Sequence, residues 1–550
     1  MAKGLYDEYY TNGKIELART GKNVSLKNHF TKDEIKQRNH EIASHYEESV
    51  SDISNLVAGI REKIKRCDPL LLLVTANDLS MVQMVNVLSD VQLENSNVGS
   101  LRLVEYIQSV LVSTKLDNNK YDKETQDKII MEILSDIEEL YTKCQYFYFI
   151  WAAREFERGV FSDKEIEYIV EAQLFSNVRG NRYQFQQLND LATLILPHNS
   201  IMEEIYGISA KNFIEGLKKL EYALSSAKLD AFKNLTDEFK KFQSKAVNKS
   251  QEELEDLFDE VREYTDSKSV MAKCFGYDLH DVKKVTNWGD KLVQSFSWKI
   301  GENADFFERS EYPGWPIQDL PVQKRPFINI NGVCYCFDYY NLFDNVYRIL
   351  QKNIRLYNDK YATKWSNIQQ GASEELVADK FKKLMPNANV YVGNYYPEAN
   401  SLKKMDENDI MVICDDIIII AEVKAGSFTY TPAITDFEAH KNSFNSLIGK
   451  ADYQCIRTYE YIEKCDLVKF YTKDKKEKFE FERRKIRKIY SLCVTVDNFN
   501  VFEAKIEKTN FFNIANGTIA INIDDLDAYT FYFESELCFL HYLKHRQAAT

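Results

Sequence analysis

The sequence predicts a mixed α and β protein, with a helical region over residues 1–310 followed by an α/β domain over 311–550 built on a mixed central sheet. Three observations predict it. Apolar residues recur every three to four positions through most of residues 1–300, which is the period of one helix face. Four prolines, Pro313, Pro316, Pro321 and Pro326, then gather in one stretch and mark irregular backbone. From residue 371 onward the order is helix, strand, strand pair, helix, strand, the pattern of a mixed α/β domain.

Taken in order, Val50, Ile53, Val57, Ile60 and Ile64 line one side of a helix that stops near Asp68-Pro69, because the residue before a proline is pushed out of helical backbone. Phe213, Leu217, Leu220, Leu224, Phe232, Leu235, Phe239 and Phe242 form a second long run of the same period, and Leu254, Phe258 and Val261 a further segment. Such helices act as a sensor, an oligomerisation arm or a partner-binding module, or do structural work alone. The proline cluster reads as the domain junction. Beyond it, Asn331-Gly332 between two strand-like runs signals a hairpin, and a helix follows through FDNVYRIL. GASEELVADKFKKLMP (371–386) reads as a helix and DIMVIC and IIIIAEVK as paired strands. GKADYQCIRTYEYIEK is a further helix, IYSLCVTVDNF (489–499) a core strand and SELCFLHYLKHRQ a closing helix.

Composition narrows the class. Apolar residues make up 44% and charged residues 28%, which excludes disorder, and 19 Gly with 9 Pro in 550 residues fits a helix-rich chain. A net charge of −13 argues against a protein that coats nucleic acid without specificity, though not against a local basic groove. No run approaches the roughly 18 apolar residues of a membrane span, and MAKGLYDEYYTNGK is too polar for a signal peptide, so no membrane partner and a cytoplasmic location are expected. The ten cysteines are scattered in apolar runs, as reduced core cysteines are. Cys334 and Cys336 form a C-x-C whose side chains point to opposite faces of a strand, which favours packing over metal.

The stretch DDIIIIAEVKAG, residues 415–426, carries the chemistry. Four consecutive isoleucines want burial on both faces, yet the strand ends in Glu422 and Lys424, and ionised groups in a dry interior need a partner or a ligand. With Asp415-Asp416 as a two-residue turn, Cys414 faces Ile417 and Asp409 faces Glu422. Directly opposed Cβ atoms lie ~4.5 to 5.5 Å apart, close enough for two carboxylates to share a cation. Lys424 projects on the same side as Glu422 because side chains alternate along a strand. Two repelling carboxylates beside a lysine are poor structural glue and a sensible site for Mg2+, or Mn2+ in its place. The lysine would orient or help deprotonate a water and balance developing negative charge.

The pattern N-D-x12-E-V-K, with Asp409, Glu422 and Lys424, resembles the PD-(D/E)XK phosphodiesterases, the restriction-endonuclease-like superfamily. The resemblance covers roughly 360–500. It implies a metal-dependent nuclease with Asp409, Glu422 and the Val423 carbonyl as metal ligands, and a glutamate from the preceding helix. Glu374 lies on the stripe of Val377, Phe381 and Leu384, whereas Glu375 lies one position off it and is held in reserve. Asn408 stands where the family name has proline. By the same resemblance, Gln454 on the next helix is the candidate to contact substrate. The segment Lys464–Lys488 holds eleven Lys and Arg against five Asp and Glu, which makes it either a phosphate-binding patch or a solvated hairpin tip. The expected partner is nucleic acid, DNA first and RNA as the alternative, in a prokaryotic defence or restriction setting, with a protein partner or self-association through the helical region. A non-cleaving binding module is the competing class. P-loop, dinucleotide-binding and HExxH signals are absent from the sequence, and His541 with His545, or His40 with His45, lack partners that would recommend them as ligands.

Overall fold

The computed structural model describes residues 7–21, 23–88, 102–176, 184–247, 249–263, 265–309, 311–398, 403–498, 514 and 517–548. The first half is helical, as its periodicity requires. Tyr46–Lys65 buries Ile53, Val57, Ile60 and Ile64, and Asp68 Oδ1 then caps the helix that starts at Pro69 by accepting from the Leu70 and Leu71 amides. The second apolar run is two helices, Ala210–Ser225 and Ala227–Ala246, parted at Ser226. The first buries Phe213, Leu217, Leu220 and Leu224, whereas Phe232 and Phe239 on the second are exposed. Gln251–Glu263 is a helix, but the side chains of Phe258 and Val261 lie outside the described residues, as does Phe499 of the expected core strand.

The helical reading of residues 1–310 needs one correction. Strands β1 (Glu8–Thr11), β2 (Ile15–Thr20) and β3 (Asn23–Asn28) form an antiparallel meander. Its turns use Gly13 at φ 83° and Gly21 at φ 59°, a region of backbone that glycine enters without cost. β4 (Ser297–Lys299) then pairs with the expected hairpin, β5 (Phe327–Ile330) and β6 (Val333–Tyr335), which turns at Asn331 and Gly332, both at positive φ. The proline-rich stretch before it is irregular but packed, with Tyr312, Trp315, Ile317, Leu320 and Val322 buried.

A seven-stranded mixed sheet occupies the second half in the order β11-β10-β7-β8-β9-β12-β13. Its strands are β7 (Asn389–Pro397), β8 (Met405–Cys414), β9 (Ile417–Lys424), β10 (Leu467–Tyr471), β11 (Glu477–Glu482), β12 (Lys488–Thr495) and β13 (Ile519–Asn522). β7, β8 and β9 pair antiparallel, while β9, β12 and β13 run parallel. Ile418, Ile419 and Ile420 of β9 are buried on both faces, as strands covered by helices on each side demand, while Ile417 at the turn is half-buried. Ile419 and Ala421 join Val377 and Phe381 of the helix Asp359–Leu384 in one core. Ile418 and Ile420 join Cys455 and Ile462 of the helix Lys450–Lys464 in another. The first of these helices is longer than 371–386, because Asn358 caps it by accepting from the Tyr361 amide.

Candidate functional site

The site sits where β8 and β9 part. Their ladder runs from Cys414 opposite Ile417 to Ile410 opposite Ala421, the expected register, around a turn with Asp415 at φ 51°. It stops one pair short of Asp409 and Glu422, and side chains take over. Asp409 Oδ2 accepts from the Val423 amide at 2.8 Å, and Asn408 Nδ2 donates to the Ala421 carbonyl at 3.3 Å and to Glu422 Oε1 at 3.1 Å. Asn394 Nδ2 donates to Asn408 Oδ1 at 3.3 Å, which fixes the amide so that its NH2 faces Glu422. On the other side of β8, Gly393 at φ 65° drops out of the β7 ladder between Val392 and Asn394. Asp409 therefore lies between two interrupted ladders.

Asn408 and Glu422 are fully buried and Asp409 is 7% exposed. The Asp409 and Glu422 carboxyls lie within hydrogen-bonding reach of each other. Lys424 Nζ stands 3.4 Å from Glu422 Oε2, 3.8 Å from Asp409 Oδ2 and 3.4 Å from the Val423 carbonyl oxygen. Burial, followed by the charge of Asp409, pushes the Glu422 carboxyl well above its ordinary range. Burial alone would lower Lys424, but Glu422 and Asp409 outweigh it and hold the ammonium above its ordinary value. One lysine thus faces two carboxylates.

A third carboxyl approaches from the opposite helix. Glu374 is 6% exposed, and burial, then the charge of Asp409, pushes it up to about 8. Its Oε1 is buried without a hydrogen-bond partner. Glu375 is exposed, so the choice between the neighbours falls on Glu374. Together these side chains form a buried group whose acids outnumber its single base.

No family model, curated protein or solved structure matches this chain.

Two neighbours were not read from the sequence. Glu407 stands two residues before Asp409 on β8, pairs across to Tyr395 of β7, and accepts that tyrosine's hydroxyl hydrogen bond. Asn408, read only as a departure from a family pattern, is the donor that orients Glu422. Alternation along the strand pointed to Glu407, but the Tyr395 pairing and the amide network exist only in the folded sheet.

Gln454 lies half-buried on the helix Lys450–Lys464, with its Oε1 buried and unpartnered. No hydrogen bond ties it to Asp409, Glu422 or Lys424. The adjacent Cys455 packs beneath the site, its Sγ 3.9 Å from the Ile420 carbonyl and 3.6 Å from that of Leu492. Six of the eleven bases in the basic segment are ion-paired. Lys469 pairs with Glu477 and Glu480, Arg483 with Glu463, Arg484 and Lys485 with Glu482, and Arg487 with Asp416. Lys473, Lys475 and Lys476 at the turn make no ion pair among the described residues. Cys334 and Cys336 are buried core residues.

Among the described residues, no group of three or more His, Cys, Asp and Glu side chains stands ready to hold a metal ion. The donors that fit a hard cation are the Asp409 and Glu422 carboxylates with the Val423 carbonyl. That carbonyl lies past the last β8–β9 pair, on the side from which the Val423 amide reaches Asp409. Two carboxylates and a carbonyl are a set that Mg2+ accepts when waters complete its shell. No helix among the described residues is long and apolar enough to cross a membrane.

Proposed function

We propose that the chain is a Mg2+-dependent nuclease of the PD-(D/E)XK, restriction-endonuclease-like type, with residues 311–550 as the catalytic domain. Its expected substrate is DNA, cut as part of a prokaryotic defence or restriction system, and its expected location is the cytoplasm. The observation that carries this reading is the buried surplus of acid. Glu422 is fully buried beside Asp409, and among the described residues Lys424 is the cation paired with both. A buried charge costs several kcal/mol unless it is paired or ligates an ion, so a divalent cation is the partner this cluster lacks among its own side chains.

In this reading Asp409, Glu422 and the Val423 carbonyl would hold Mg2+, or Mn2+ in its place. The ion would supply Lewis acidity and a bound water of lowered pKa. Lys424, 3.4 Å from Glu422 Oε2 and 3.8 Å from Asp409 Oδ2, would stand as a positive charge beside the metal ligands, where it would orient the attacking water and offset charge developing on the phosphate. Glu374, pushed up to about 8, holds a proton at neutral pH and can donate it from a buried carboxyl. Asn408 keeps Glu422 aimed at the site. Gln454 would contact the substrate from the helix behind β9. A protein partner or a second copy would engage the helical region, where Leu229, Phe232, Phe239 and Phe275 are exposed.

The test is incubation of the full-length protein with supercoiled plasmid, linear duplex, single-stranded DNA and RNA, in Mg2+ or EDTA. Cutting that needs Mg2+ and is lost in Asp409→Ala and Lys424→Ala is expected. Preference for RNA would correct the substrate. Nucleic-acid binding without cleavage in any metal would replace the nuclease with a binding module.

A further inference from the structure

Lys424 is the last residue of β9, so the path by which the chain leaves the strand sets where its ammonium stands. On one side β12 holds it, with Thr495 opposite and the Val496 amide donating to the Lys424 carbonyl at 3.0 Å. The next carbonyl, that of Ala425, is held by a different element, the helix Tyr339–Tyr357. It accepts from Tyr347 Oη at 2.8 Å and from Gln351 Nε2 at 2.6 Å. The same side of that helix grips the chain further on. Ser427 Oγ donates to Gln351 Oε1, and Lys352 Nζ donates to the Phe428 carbonyl at 2.9 Å. Arg348 pairs with Asp497, whose Oδ2 also accepts the Phe428 amide at 2.8 Å. Positions 347, 348, 351 and 352 share one helix face, so a single rigid rod sets the exit from β9.

Tyr347 is itself directed from behind. Gln369 Nε2 donates to Tyr347 Oη at 3.1 Å, and Gln369 Oε1 lies 2.5 Å from His198 Nε2. Burial lowers His198 to about 4, so the ring is neutral at pH 7, and facing an amide oxygen its Nε2 carries the proton. Every donor then points the same way, from His198 to Gln369 to Tyr347 to the Ala425 carbonyl. None of the three side chains is more than 2% exposed. The His198 ring also lies flat on Trp365, with centroids 3.8 Å apart. Apolar residues of similar shape would fill such a core at comparable stability, so packing alone does not call for a one-way polar chain.

We propose that Tyr347 is a positioning residue for Lys424, held in register by Gln369 and His198, and that this line is the route by which the helical half sets the geometry of the site. The proposal rests on Lys424 being catalytic. It assigns His198, in the helical half, and Tyr347, before the sheet, a role in the chemistry without contact to substrate.

The test uses the full-length protein carrying Tyr347→Phe, Gln369→Leu, His198→Leu or His198→Gln. Removing one link should lower kcat on plasmid about tenfold or more while DNA affinity in EDTA stays near the parent's and the melting temperature falls by no more than one unpaired buried polar group explains. His198→Gln, which keeps a donor for Gln369, should recover most of the rate. Amide exchange over residues 423–428 should quicken in Tyr347→Phe, a readout independent of cleavage. Activity that falls only in step with melting temperature, or exchange at 423–428 unchanged in Tyr347→Phe, overturns the proposal. If the parent cuts nothing, the nuclease reading fails by itself, and the exchange result alone decides whether the line holds the β9 exit.

Discussion

Glu422 has three ways to exist where it stands: protonated, paired with Lys424, or bound to a cation. Asn408 works in all three, because its Nδ2 is the hydrogen bond that aims Oε1. Replacing Asn408 by Ala should therefore cost about 1–3 kcal/mol in chemical denaturation, the price of an unsatisfied buried acceptor, and lower metal-dependent cutting further than that loss explains. The two adjacent glutamates separate cleanly. Glu374→Gln should depress the rate, while Glu375→Gln, on the exposed side of the same helix, should leave it unchanged, as a plasmid time course would show. Strand alternation and turn chemistry suffice to bring Asp409, Glu422 and Lys424 together, and the helical stripe to separate Glu374 from Glu375. Asn408 was not legible, because its role arises only where the β8–β9 ladder fails, and that failure adjoins the positive φ of Gly393 on a third strand.

Elements show where local pattern suffices and where it does not. Ile418, Ile419 and Ile420 of β9 encode their own two-faced burial, and the hairpin register followed from one turn. The meander β1–β3 was missed although Asn12-Gly13 is a hairpin signal, because its strands are largely exposed and show no strong apolar alternation. A second unread feature braces the helix that carries Glu374. Lys380, 3% exposed, pairs with Asp190 at 2.9 Å and with Asp527 at 2.8 Å, joining three helices distant in sequence. Burial raises Asp190 to about 6 despite that lysine. Lys380→Ala, which strands two buried acids, should destabilise by about 3–5 kcal/mol, whereas Lys380→Met combined with Asp190→Asn and Asp527→Asn should recover most of the loss. A denaturant series over these variants checks both signs.

Across the whole molecule the two halves share their cores. Phe147 and Ile107 of the first half pack with Trp315, Phe428 and Phe444, and Phe213 and Leu217 with Phe343, Phe381 and Val494. Three buried histidines, His198, His280 and His440, are each lowered to about 4 by burial. A base with a depressed folded pKa adds stability above its ordinary value of 6.5, and that stability is lost as pH falls toward 4, by about 3 kcal/mol per histidine. Buried acids such as Asp190 act in the opposite sense, so the difference between parent and variant is the informative quantity. The stability gap between the parent and His280→Gln should narrow from pH 6.5 to pH 4. At the centre of the site stands an exchange: a divalent cation takes the place of the proton that burial holds on Glu422 beside Asp409. Titration of the full-length protein with Mn2+, followed by electron paramagnetic resonance, tests it most directly. The account predicts one saturable site that is lost in Asp409→Asn and in Glu422→Gln. Binding unchanged by either substitution, or no binding in the parent, would contradict it.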